Sequence, residues 1–166
     1  MKRHLILIRH AKSRETEPGQ KDIDRELTES GYQQASRIGR YLYLKELIPE
    51  KLLTSHARRA LDTAQLIADQ LRLDPYQVIE NEELYEASVR TLLNQIHGLD
   101  ESLKSVIIIG HNPAITHICE HLSKNEMGNL PAGSMVHLSF ANINWEELDK
   151  GTGVVEEIKF PDQIVL

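Results

Sequence analysis

Two short apolar runs set the pattern of this chain: Leu5 to Ile8 and Val106 to Ile109. Each is rich in branched residues and has no polar break, which suits a strand buried on both faces. Both stop abruptly. The first ends in Arg9-His10-Ala11-Lys12-Ser13 and the second in Gly110-His111-Asn112-Pro113. Leu52-Leu53-Thr54 is a shorter strand candidate, and Gln77-Val-Ile-Glu80 a weaker one. Helical spacing fills the gaps. Tyr32, Ala35, Ile38, Gly39 and Leu42 follow Thr28, a good N-cap. Ala57, Ala60, Leu61, Ala64, Ala68 and Leu71 form a second stripe, which Ser55 can cap. Val89, Leu92, Leu93 and Ile96 give a third, between Ser88 and Gly98. Ile115, Ile118, Cys119 and Leu122 give a fourth, with Asn112 as N-cap and Pro113 in the first helical position. The tail changes period. Val136, Leu138 and Phe140 alternate with His137 and Ser139, as in a half-buried strand, and residues 154–160 supply a partner.

Strand and helix alternate through residue 123, which predicts an α/β fold with a largely parallel sheet and helices on both faces. The last two strands are expected at an edge or antiparallel to their neighbours. At 166 residues the chain is expected to be one domain, residues 1–166, large enough to bury a core without disulfide or metal. Its formal charge of −6 argues against nucleic acid as a main partner. Cys119 is the only cysteine, so no intrachain disulfide forms, which fits a reducing compartment. The apolar run before Arg9 is too short for a signal peptide, and no run reaches the ~20 residues of a membrane span. A soluble cytoplasmic protein is expected. With no exposed apolar helix or coiled-coil repeat, a monomer is expected as well.

Parallel strands share one carboxyl edge, where open α/β sheets place their ligands. Arg9, His10, Lys12 and His111 all follow strands there. Arg58 and Arg59 sit in a first helical turn, where the dipole disfavours cations. Together with the free N–H groups they would bind one anion. A solvated basic turn is the plainer reading of either segment alone. Convergence would give planar arginine forks for phosphate oxygens and an imidazole able to attack phosphorus.

Four segments, in order, resemble the histidine phosphatase superfamily, the phosphoglycerate-mutase-like group. They are Arg9-His10-Ala11-Lys12-Ser13, Asp24-Arg25-Glu26-Leu27-Thr28-Glu29-Ser30-Gly31, the stretch from Ser55 to Thr63, and Gly110-His111-Asn112-Pro113. The short chain and the Gly-His-Asn-Pro form look most like its small SixA-type phosphohistidine phosphatase branch. The resemblance implies a three-layer phosphoglycerate-mutase-like sandwich and a phosphatase needing no cofactor and no metal. His10 would carry the phosphoryl group, and Arg9, Arg59 and His111 would hold its oxygens. Arg25 would add a further contact. Larger relatives draw a proton donor from a glutamate after a Leu-x pair, which falls on Glu86 in Leu84-Tyr85-Glu86; Glu83 is the alternative, and a solvated acidic loop is the plain reading. Ala11 stands where glycine is common, and His56 where proline is usual; neither change removes a charge. The implied partner is a phosphorylated protein, such as a histidine phosphotransfer domain, or a small phosphoester.

Three other readings compete. His117 and His121, spaced i, i+4, would give a zinc site with His111. A binding module could keep the fold and recognise phosphoproteins without catalysis. A sugar-phosphate mutase would need a capping insertion, and the span from Arg59 to His111 leaves little room for one.

Overall fold

The computed structural model describes residues 1–165. The strands follow the apolar runs: β1 (Lys2–Arg9), β2 (Lys51–Thr54), β3 (Val78–Glu80), β4 (Ser105–Gly110), β5 (Met135–Ala141) and β6 (Val154–Lys159). The helices are α1 (Glu29–Leu44), α2 (Arg58–Leu71), α3 (Val89–His97) and α4 (Ala114–Ser123). One six-stranded sheet runs β3-β2-β4-β1-β5-β6. β1 to β4 are parallel to one another, and β5 is antiparallel to both β1 and β6. The expected α/β three-layer sandwich is observed, with its antiparallel strand near the C-terminus.

The period of two in β1 divides the core. Leu5 and Leu7 pack with Leu92, Ile96, Ile115 and Ile118 from α3 and α4. Ile6 and Ile8 pack with Ile38, Leu42, Ala64 and Ile67 from α1 and α2. Burying apolar surface at ~25 cal/mol per Å² on both faces is what makes these strands uninterrupted. The α1–α2 crossing is close, because a Cβ on Gly39 would lie 2.7 Å from the Gln70 Cβ and 3.0 Å from the Ile67 Cα.

Three local expectations are corrected. Ser55 does not cap α2. The helix starts at Arg58 after Ala57, and the Ser55 hydroxyl accepts the Ala57 N–H at 3.1 Å. α4 begins at Ala114, one residue later than expected. The Asn112 side chain still accepts from the Thr116 N–H, at 3.2 Å, across the cis Asn112–Pro113 bond. β5 is buried on both faces rather than half-buried, with only Ala141 exposed. Its polar positions find partners on the neighbouring strands: His137 Nε2 lies 2.9 Å from His4 Nδ1 on β1, and Ser139 donates to Glu156 on β6. Period two alone cannot distinguish such covered polar groups from solvated ones.

Candidate active site

The carboxyl ends of β1, β2 and β4 meet at one edge of the sheet. As β1 runs out, the backbone is tied on both sides. The His10 N–H donates to the Gly110 carbonyl, and the Gly133 N–H reaches the Arg9 and His10 carbonyls at 3.1 and 2.9 Å. The Ala11 N–H donates to Thr63 Oγ1 on α2. The turn holding His10 is therefore fixed by β4, α2 and the segment before β5.

His10 is 6% exposed. Its Nδ1 lies 2.8 Å from the Ala11 carbonyl, which can only accept. Nδ1 must therefore carry the proton, and the lone pair is left on Nε2. The Nε–H of Arg59 points at that lone pair, at 3.3 Å. Burial above all, helped by Arg59, Arg9 and Arg25 and opposed by the Ala11 hydrogen bond, lowers the His10 pKa to about 4. The ring is neutral at pH 7.

His111 follows β4, with its ring centroid 5.1 Å from that of His10. Its Nε2 shares a 2.8 Å hydrogen bond with the Ser55 hydroxyl. Burial, then the neighbouring His10 and Arg59, lower its pKa to about 3. Nδ1 of His111 and Nε of Arg9 are buried without a protein partner, and each such group needs explaining. Arg9 is anchored through Nη1, which donates to the Leu130 carbonyl at 2.8 Å.

Arg9, His10, Arg25, Arg59, His111 and Lys12 line one cleft of about 330 Å³, with Ser13, Asn112 and Ala132 completing it. No carboxylate is among these lining residues. A hollow of about 470 Å³ beside α2 and β3 carries Asp62, Asp69 and Glu80 and no cation, so it suits an anion poorly.

The structure thus brings Arg9, His10, Arg25, Arg59 and His111 together. It separates the arginine pair: Arg58 is exposed and pairs with Glu26 and Asp62 at 3.3 and 3.6 Å, so only Arg59 faces the cleft. Glu86 does not line the cleft. Its backbone lies at φ 54°, and the residue is exposed, as is Glu83. The zinc trio does not converge either. His121 pairs with Asp149 at 2.9 Å, His117 is exposed, and His111 belongs to the cleft.

Two residues at the cleft were not anticipated. Asp22, in a 3-10 turn at Asp22–Asp24, accepts from Arg59 Nη2 on its carboxylate at 3.0 Å and from Arg59 Nη1 on its carbonyl at 2.8 Å. Tyr85 donates to the same carboxylate at 2.6 Å and packs edge-on against His111. Burial and the Asp22 carboxylate push the Tyr85 hydroxyl up to about 12. The tyrosine hydrogen bond, then Arg59, keep Asp22 below the usual carboxylate range. Neither residue has a periodic signal, because each comes from a loop that folds back onto the cleft. The one hint was Asp22 standing three residues before Arg25.

The family model of the histidine phosphatase superfamily (branch 1) matches residues 5–93. The chain belongs to that superfamily. Among solved structures, its fold is similar to a SixA described as a protein histidine phosphatase in complex with tungstate, at TM-score 0.84 and 19% identity over 98% of this chain and 99% of the other. It is also similar to putative phosphohistidine phosphatases SixA from Nakamurella multipartitia and Agrobacterium tumefaciens. The first has TM-score 0.82 and 22% identity, over 97% of both chains. The second has TM-score 0.81 and 24% identity, over 95% of this chain and 97% of the other. At these identities the likeness is one of fold. No curated protein sequence matches the chain. Of the cleft's cations and imidazoles, Arg9, His10, Lys12, Arg25 and Arg59 fall within the matched span, whereas His111 lies beyond it.

Proposed function

We propose that this superfamily member is a phosphatase acting on phosphohistidine carried by a protein, through a covalent intermediate on His10. The observation that carries the reading is the neutral His10, whose unprotonated Nε2 faces the Arg59 guanidinium inside a cationic cleft. In the first step Nε2 attacks phosphorus, the bond from phosphorus to the substrate imidazole breaks, and its electron pair leaves on that ring, which departs neutral when its other nitrogen carries a proton. In the second, water attacks phosphorus, the P–Nε2 bond breaks, and the pair returns to His10. The water proton passes to the released phosphate or to solvent. Splitting hydrolysis in this way replaces one difficult displacement with two easier ones.

Arg9, Arg59, Arg25 and His111 supply donors to the equatorial oxygens, where phosphoryl transfer is chiefly stabilised. The partnerless Arg9 Nε and His111 Nδ1 fit that use. The leaving group is chosen by what the cleft lacks. With no carboxylic acid among its lining residues, it favours a leaving imidazole, which can depart neutral, over an alkoxide that needs a proton. Between α2 and β4 the chain forms only β3, α3 and short turns, and the open cleft leaves room for a phosphorylated side chain on a protein surface. Among the described residues no helix is long and apolar enough to cross a membrane.

The test is turnover of a panel of phosphohistidine proteins beside small phosphoesters, with rapid-quench labelling. The wild type should trap an acid-labile, base-stable phosphoenzyme, and His10→Ala none. Arg59→Ala should lose roughly 10²–10³-fold in kcat and retain residual activity. Turnover should survive EDTA. An undiminished phosphoenzyme in His10→Ala would move the nucleophile elsewhere. Preference for phosphoesters would overturn the substrate class, and loss on chelation with recovery on zinc would overturn the metal-free route.

A further inference from the structure

The guanidinium of Arg59 is held by two of its edges. Its Nη1 and Nη2 both go to Asp22, one to the main-chain carbonyl and one to the carboxylate, at 2.8 and 3.0 Å. Its Nε goes to His10 Nε2. The group is planar and rigid, so fixing the two terminal nitrogens fixes the direction of the third. Asp22 is itself held from two more elements. Tyr85, after β3, donates to Oδ2 at 2.6 Å, and Arg25 donates to Oδ1 at 3.1 Å. The Arg25 side chain is further anchored to Ser13 and to the Arg14 carbonyl. A half-exposed carboxylate thus joins Arg25 and Arg59, two of the cleft's three arginines, to the loop after β3. A solvated aspartate with no task would not collect three charged or phenolic donors.

We propose that Asp22 is a positioning residue that grips the outer edge of Arg59, so that the inner edge stays aimed at the reacting nitrogen of His10. It acts through Arg59 and touches no reacting atom. The opposite role, a carboxylate that competes with the phosphoryl group for Arg59, predicts the opposite sign and is decided by the same experiment. The kinetic arm rests on the phosphatase reading above; a spectroscopic arm does not.

The variants are Asp22→Ala and Asp22→Asn, alone and combined with Arg59→Ala, with unfolding temperatures checking the fold. Because Asp22 is an exposed turn residue, both variants should fold, and the asparagine retains an acceptor if the alanine fails. Asp22→Ala should lower kcat by about 10–100-fold, the scale of a small misplacement of a catalytic group, with KM changed by less than about 3-fold. Asp22→Asn should lose less. Added to Arg59→Ala, neither should cost anything more, since residues acting as a unit are not additive. By NMR, the Arg59 Nε–H should give a protected resonance in the wild type that exchanges faster in Asp22→Ala. That signal reads orientation even if no phosphorylated substrate is turned over. Losses that multiply in the double variant, faster turnover or tighter inorganic phosphate binding in Asp22→Asn without a fall in kcat, or an Arg59 Nε–H unchanged in Asp22→Ala would each overturn the proposal.

Discussion

Acidifying the protein from pH 7 to pH 5 should barely reduce the fraction of His10 that is neutral, the form the proposed attack requires. With its pKa lowered to about 4, about nine-tenths of the ring stays neutral at pH 5. An imidazole at the ordinary value of about 6.5 would be only about 3% neutral, so the same change would cost about 25-fold. Burial is the largest cause. Arg59→Gln, which removes a cation but keeps the cover, should therefore raise the value without restoring it to 6.5. The direct assay follows the His10 ring proton by NMR in phosphate-free buffer, assigned by its loss in His10→Ala. Stability carries the same signature. The folded value lies below the unfolded one, so between about pH 6.5 and 4 the unfolded chain binds more protons and stability falls as pH drops. The loss levels off once the folded ring is also protonated. For His10 it amounts to about 3 kcal/mol, and His111, lowered to about 3, adds to it. The urea midpoint should fall across that window. A His10 titration near 6.5 would refute the reasoning, because the ring would then be solvated and the cations around it ineffective.

Two further substitutions separate packing from chemistry. A Cβ on Gly31 would lie 2.1 Å from the Lys12 carbonyl oxygen, a backbone atom that no rotamer change can move. Gly31→Ala should cost about 2–4 kcal/mol in denaturant unfolding and weaken vanadate binding, since Lys12 lies two residues past His10; a change under ~0.5 kcal/mol would contradict it. Arg3, 1% exposed, pairs with Glu101 and donates to the Leu103 and Ile143 carbonyls at the opposite edge of the sheet. Arg3→Ala should cost about 3 kcal/mol or more of stability while leaving kcat unchanged below the unfolding temperature.

The groups that chemistry demands at the ends of buried strands were readable from the sequence because burial and position coincide there. Ile8 must be apolar and Arg9 need not be, so the break in pattern marks both the sheet edge and the cleft. Arg58 carries the same signal as Arg59, yet two neighbouring residues on a helix point about 100° apart and only one can face the cleft. Asp22 and Tyr85 carry no such signal. Their places depend on how polar loops close over the edge, and no periodicity records that. At Leu84-Tyr85-Glu86 the motif drew attention to the carboxylate. Glu86, with its left-handed backbone, is exposed, while Tyr85, its neighbour, bonds to Asp22 and packs edge-on against His111.

The central strand β1 is flanked by partners from remote parts of the chain: Ile8 is opposite Ile109 on one side and Met135 on the other. No hairpin can bring these together, so loop-closure entropy must be met before pairing returns anything. The His10 turn then waits for Gly133, whose single N–H bridges two of its carbonyls, and Arg9 waits for Leu130. Assembly and catalytic competence are therefore one event. A fragment ending after the superfamily-matched span would hold His10 and the three cleft arginines, Arg9, Arg25 and Arg59, yet lack the clamp that shapes them. Refolding should accordingly show oxyanion affinity emerging with the last kinetic phase, alongside native β5 pairing, and never from a partly folded N-terminal half.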